Sequence, residues 1–149
     1  MRVLGVDLGR QRIGLAISDP EASLAFPLDA IASNGTTRDV EALRALVEAR
    51  EVERVVLGLP LHMDGRSGPE VDAARRFAHA LELATGIPIE LLDERWTSVE
   101  AERALRETGT AAKRRRRRRS GELDSMAATI LLRTWLEREQ HRHDAGVSA

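Results

Sequence analysis

The eight residues Val52-Glu53-Arg54-Val55-Val56-Leu57-Gly58-Leu59 constrain this chain more than any other stretch. A run so rich in apolar and β-branched side chains needs cover on both faces, the mark of an interior strand with helices above and below. Two other apolar runs, residues 2–8 (RVLGVDL) and 12–18 (RIGLAIS), flank Gly9-Arg10-Gln11 and read as a hairpin. A third run, Leu24 to Ala32, contains Pro27, which cannot donate to a ladder and confines the strand to an edge or a bulge.

Helical spacing takes over after Gly35-Thr36-Thr37, where Val40, Leu43, Leu46 and Val47 share one face. Residues 60–68 are a loop. Residues 69–85 form a second helix with Val71, Ala74, Phe77, Ala78 and Leu81 inward, stopped by Gly86, and the segment 87–92 is a strand beginning around Pro88. Thr97 with Glu100 makes a capping box for a helix that ends at Gly109. A last helix is predicted from Glu122 to Gln140, burying Met126, Ala127, Ile130, Leu131 and Leu136. The order β-β-β-α-β-α-β-α-α predicts an α/β fold: a mixed five-stranded sheet, its first three strands antiparallel, with helices on both faces. One domain is expected over residues 1–138. Residues 139–149 lack apolar periodicity and are expected to be a disordered tail.

Charge is distributed less evenly than the net value of −1 implies. Lys113, Arg114, Arg115, Arg116, Arg117, Arg118 and Arg119 are consecutive, and without their seven charges the chain would carry −8. Affinity for a polyanion is therefore focused at one place. Self-repulsion predicts a mobile loop over about 110–121, and guanidinium forks suit phosphate oxygens. With four aromatic residues (Phe26, Phe77, Trp96 and Trp135), the chain is poorly equipped as a base-stacking platform. It has no cysteine, which excludes disulfides and thiolate metal sites. No apolar run approaches the length of a membrane span, and a cytoplasmic location is expected.

Three carboxylates stand out. Asp7 lies between Val6 and Leu8 in an apolar strand, where an ionised group must be paired or bind a cation. Asp93-Glu94 follows the strand Leu91-Leu92 directly, and alternation lets only one of the two join Asp7. Arg95 comes next and could anchor a phosphate or pair with Asp93. Asp124 opens the last helix, where it also suits the positive end of the dipole. Small neighbours, Ser125, Ala127 and Ala128, let that helix end approach a sheet. Three such groups on two strands and a helix would fit Mg²⁺ or Mn²⁺, which take oxygen ligands and retain waters for substrate phosphates. His62, Asp64, Arg66 and Ser67 lie in a loop that could reach a substrate. His141 and His143 carry no role.

Four ordered segments carry a family resemblance: Val3-Leu4-Gly5-Val6-Asp7-Leu8-Gly9, Gly58-Leu59-Pro60 with Asp64-Gly65, Asp93-Glu94-Arg95-Trp96-Thr97-Ser98, and Leu123-Asp124-Ser125-Met126-Ala127-Ala128 with Ile130-Leu131-Leu132. The chain resembles the YqgF family, also called RuvX-like: pre-16S rRNA nucleases first described as Holliday junction resolvases. The resemblance covers residues 1 to about 138. It implies an RNase H-like fold and a two-metal phosphodiester hydrolysis site with Asp7, Glu94 and Asp124 as ligands. The resemblance favours RNA as substrate, with DNA or a four-way junction the alternative. Arg95 and residues 113–119 are expected, from their own charge, to contact that nucleic acid, and a monomer or homodimer is expected. The related RuvC resolvases carry a second acidic residue near the start of the final helix; here that position is Ala127. A non-catalytic binding module and an actin-like ATP-binding relative are the remaining readings, the latter short of a second lobe.

Overall fold

The computed structural model describes residues 1–59, 68–93 and 122–147, and the side chains of residues 122–124 and 147 lie outside the description. Five strands, β1 (Val3–Leu8), β2 (Arg12–Ser18), β3 (Ala25–Ala32), β4 (Arg54–Leu59) and β5 (Ile89–Asp93), form one sheet in the order β3-β2-β1-β4-β5. β1 pairs antiparallel with β2, and β2 with β3, while β1–β4 and β4–β5 are parallel. This is the mixed sheet predicted, with Pro27 on the edge strand.

Helices α1 (Thr36–Ala49) and α2 (Pro69–Thr85) cover one face. Their buried side chains pack on Leu4, Val6, Ile13, Leu15, Ile17, Val55 and Leu57. α2 buries Val71, Ala74, Phe77, Ala78 and Leu81, the five residues its spacing selects. It begins with Pro at its first position and ends at Gly86, whose φ of 72° is the left-handed conformation that glycine adopts without strain. α1 has no side-chain cap at Gly35. Buried Asp39, in the first turn, ties the preceding loop to the helix, accepting the Ser33 hydroxyl at 2.7 Å and the Asn34 N–H at 2.8 Å.

The third helix, α3 (Glu122–Val147), covers the opposite face. Two differences from the sequence reading occur here. The first is its length: residues 139–147 are helical, not a disordered tail. Nothing before Gly146 breaks a helix, and the exposed turns carry an Arg142–Glu139 ion pair at 2.9 Å and a Gln140–Asp144 hydrogen bond at 3.4 Å. The second is the face it buries. Met126 and Ala127 are half-buried, while Ser125, Ala128, Thr129, Leu132 and Trp135 join Ile130, Leu131 and Leu136 inside. The buried set 125, 128, 129, 132, 135 and 136 follows the 3, 4 spacing of a helix laid on a sheet.

Several expected features lie outside the described residues: the loop 60–67, the helix capped by Thr97, and the basic segment 110–121 with its predicted mobility. Among the described residues no helix is long and apolar enough to cross a membrane.

Candidate active site

Alternation along the strands sorts the sheet into two surfaces. Leu4 and Val6 of β1 belong to the core under α1 and α2, whereas Val3 packs with α3. Gly5 is also on the α3 side: a Cβ added there would stand 2.9 Å from Leu132 Cβ and 3.0 Å from the Ala128 carbonyl. The same alternation places Asp7 on the α3 face, at the carboxyl end of the central strand. In parallel α/β sheets that edge is where ligands bind.

Asp7 is half-buried, beside fully buried Val6. Its Cα partner across the sheet is Gly14, which has no side chain to cover it. Among the described residues no hydrogen bond or ion pair engages its carboxylate. A polar group so placed favours a cation, since carboxylates are costly to desolvate alone. Directly after Leu8 the chain turns tightly, with the Gly9 N–H donating to the Arg12 carbonyl at 2.9 Å. A Cβ at Gly9 would meet that carbonyl oxygen at 2.5 Å, so only glycine fits. The hairpin tip, including Arg10, is exposed at the same end as Asp7.

β5 ends in register with β4, Leu59 opposite Asp93. Leu92 packs on the α3 face, so Asp93 is on the other one. Asp93 is therefore not the member of the acidic pair that can join Asp7. Glu94, Arg95 and Lys113 to Arg119 lie outside the described residues. Asp124 is in the first turn of α3, and its side chain lies outside the description as well. For this reason, the described residues contain no group of three or more metal-ligating side chains. The donor set proposed from sequence, three carboxylates, has the hard oxygen chemistry of Mg²⁺ or Mn²⁺ sites, and Asp7, without a partner among the described residues, fits it.

Sequence reasoning missed Ser125 as more than a small residue. It is 1% exposed, and its hydroxyl donates to the Leu28 carbonyl of β3 while the Leu15 N–H of β2 donates to it at 3.5 Å. At that point β3 is bulged: Ile13 faces Ile31 and Leu15 faces Leu28, so Asp29 and Ala30 together oppose Gly14. The only signal in the sequence was a hydroxyl residue on the apolar side of a helix. At the other end of the contact, Trp135 Nε1–H donates to Glu90 Oε2 at 2.7 Å, and Arg54 pairs with the same oxygen at 3.3 Å.

Comparison with known proteins adds to this geometry. The family model described as "RuvX: Holliday junction resolvase" matches residues 1–138. A protein of Anaeromyxobacter dehalogenans (strain 2CP-C) named "Putative pre-16S rRNA nuclease" is 46% identical over 138 residues, 93% of this chain and 98% of that protein. A relative of the same name from Chloroflexus aggregans is 42% identical, covering 91% of this chain and 92% of its own. Among solved structures, Thermus thermophilus RuvC with a Holliday junction substrate superposes with a TM-score of 0.55 at 16% identity, over 88% of this chain and 91% of that one. The fowlpox virus resolvase with Holliday junction DNA gives 0.56 at 13% identity, over 93% and 98%. These two likenesses identify the fold as RNase H-like.

Proposed function

The chain belongs to the RuvX family, and from that premise we propose that it is a divalent-metal-dependent nuclease processing the 5′ end of pre-16S rRNA. Asp7, Glu94 and Asp124 are the proposed ligand set. The observation that carries the reading is Asp7 itself: a half-buried carboxylate with no partner among the described residues, at the carboxyl end of the central strand, on the face covered by α3. Strand alternation puts Asp93 on the face away from Asp7, which leaves Glu94 as the proposed member of the acidic pair. Asp124 begins the helix that packs on that face.

Ions bound there would supply an activated water and stabilise the leaving oxygen of the phosphodiester. The protein's part is to hold the carboxylates in place and to collect the substrate. Arg95 and the basic run Lys113 to Arg119 take the second task, attracting the backbone through charge in a salt-dependent way. RNA is the favoured substrate because the relatives are named for it.

A second reading, cleavage of four-way DNA junctions, is supported by the description of the family and by the two resolvases that share the fold. A resolvase cuts two strands symmetrically and acts as a two-fold dimer. Ala127, at the position where RuvC resolvases carry a further acidic residue, weighs against it.

The deciding experiment offers the protein matched single-stranded RNA, single-stranded DNA and a four-way junction, each with Mg²⁺ or Mn²⁺. Cleavage of RNA is expected. Paired symmetric cuts in the junction alone would transfer the assignment to the resolvase reading. Binding without cleavage of any substrate would leave a non-catalytic module.

A further inference from the structure

Resting on the reading that Asp7 and Asp124 share a metal site, we propose that Ser125 is a positioning residue that sets the distance between them. Its hydroxyl stands between two strands at the β3 bulge, accepting from the Leu15 N–H and donating to the Leu28 carbonyl. Leu15 and Leu28 are Cα partners, so the hydroxyl bridges a rung of the sheet as an ordered water would. A helix is thereby stitched into a sheet through one atom.

The location matters more than the bond. The residue preceding Leu15 is Gly14, the Cα partner of Asp7. The residue preceding Ser125 is Asp124. The hydroxyl therefore ties two neighbours, one of Asp7 across the sheet and one of Asp124 along the helix. The Ser125 carbonyl in turn accepts the Thr129 hydroxyl at 2.6 Å, which braces the first turn of α3 from behind. Farther along, Gly5 lets Ala128 and Leu132 sit on β1. That contact fixes the height of the helix above the sheet, while Ser125 fixes where its first turn stops.

A role in packing alone would make Ser125 interchangeable with any small residue of equal stability. A positioning role makes the hydroxyl matter for cation affinity and turnover, and leaves capture of the nucleic acid unaffected. Ser125→Ala, Ser125→Cys, Ser125→Thr and, as a stability control from the far end of α3, Leu136→Ala would be compared with the wild type. Mn²⁺ binding is read directly by calorimetry, alongside single-turnover cleavage, nucleic-acid Kd and thermal unfolding. Expected for Ser125→Ala is an Mn²⁺ affinity about 10–100-fold weaker, the range seen when groups that orient metal ligands are removed. Turnover at fixed Mn²⁺ falls with it and the nucleic-acid Kd is unchanged. Ser125→Thr, which keeps the hydroxyl, recovers most of the loss. Leu136→Ala lowers the unfolding temperature and leaves Mn²⁺ affinity at the wild-type value.

If Ser125→Ala does not fold, Ser125→Cys, nearly isosteric but a weak hydrogen-bonding group, carries the same expectation. Wild-type Mn²⁺ affinity and turnover in a folded Ser125→Ala or Ser125→Cys would overturn the proposal, as would an equal loss of Mn²⁺ affinity in Leu136→Ala. Absence of Mn²⁺ binding by the wild type would instead strike the metal-site reading beneath it.

Discussion

The two faces of the sheet solve different problems. Under α1 and α2 the strands present Leu4, Val6, Ile13, Leu15, Ile17, Val55, Leu57 and Leu59, a nearly unbroken aliphatic surface. Under α3 the corresponding positions include Gly5, Gly14, Ala16 and Gly58, with Asp7 among them, and the larger buried apolar strand residues there are Val3, Val56 and Leu92. One face gains stability from buried area, at roughly 25 cal/mol per Å² of apolar surface. The other gives up that gain so that a helix backbone can come close to a strand carrying a carboxylate. The proposed site and the main aliphatic core are thus separated by the pleat, one residue apart along the same strand.

Five changes would break or sharpen this contrast. Asp7→Asn, on the α3 face, keeps side-chain volume and removes charge. Cleavage should fall by about three orders of magnitude, equivalent to ~4 kcal/mol of transition-state stabilisation, with the circular dichroism spectrum intact. Wild-type turnover in this variant would remove the proposed site. Leu57→Ala, fully buried on the aliphatic face, should cost about 2–5 kcal/mol in denaturant unfolding and leave the turnover of the folded fraction unaltered. A turnover loss in Leu57→Ala matching that of Asp7→Asn would show that the faces are not separable.

Gly5→Ala tests close approach on the α3 side. Its new Cβ overlaps Leu132 and the Ala128 carbonyl, so about 1–3 kcal/mol of stability should be lost despite the added apolar carbon. Unchanged or higher stability would mean that α3 can retreat freely. Replacing four of Arg114 to Arg119 with Ser should flatten the slope of log K against log salt by ~0.7–0.9 for each lost phosphate contact. Single-turnover cleavage at saturating substrate should change far less, and its collapse with normal binding would place these arginines at the scissile bond.

The smallest effect is expected far from both faces, in the β2–β3 connection. Asp19 accepts the Leu24 N–H at 2.8 Å, the Ser23 hydroxyl at 2.6 Å and the Ser23 N–H at 2.7 Å, which hold its carboxyl well below the usual carboxylate range. A depressed carboxyl stabilises fully above the unfolded value near pH ~4 and loses that contribution as pH falls toward the folded value. Asp19→Asn should therefore narrow the stability difference between neutral and acidic pH slightly, as read by thermal melts from pH 7 downward. No change in that profile would show that the loop's bonds are replaced by water at no cost.

Period and punctuation made most of the fold legible. The five strands and α2 fall within a residue or two of their expected bounds, and α1 starts where expected, because alternation, 3, 4 spacing, Gly86 and Pro27 act locally. α3 was harder. Its exposed C-terminal turns bury nothing, so apolar periodicity is silent about them, and helical ion pairs and good helix formers extend them instead. Its buried face was misread at Ser125 and Thr129 for a different reason. Hydroxyls count as polar in a sequence pattern, yet here they are satisfied by backbone groups, Thr129 by the Ser125 carbonyl and Ser125 by two strands. Asp7 was legible as a charge inside an apolar strand. Its proposed association with Glu94 and Asp124 was not, because segments distant in sequence can be grouped only through tertiary structure, and family resemblance supplied the grouping.

The edge strand β3 has a consequence for life near a polyanion. Exposed Leu24 and Phe26 would make an ordinary sheet edge adhesive, and a nucleic acid that gathers many copies raises their local concentration. Pro27 withholds one donor from any incoming strand, and the bulge at Asp29 and Ala30 throws the following residues out of register. Continuous pairing of a second chain along this edge is disfavoured. The bulge that receives Ser125 thus also interrupts this edge as a template for another strand.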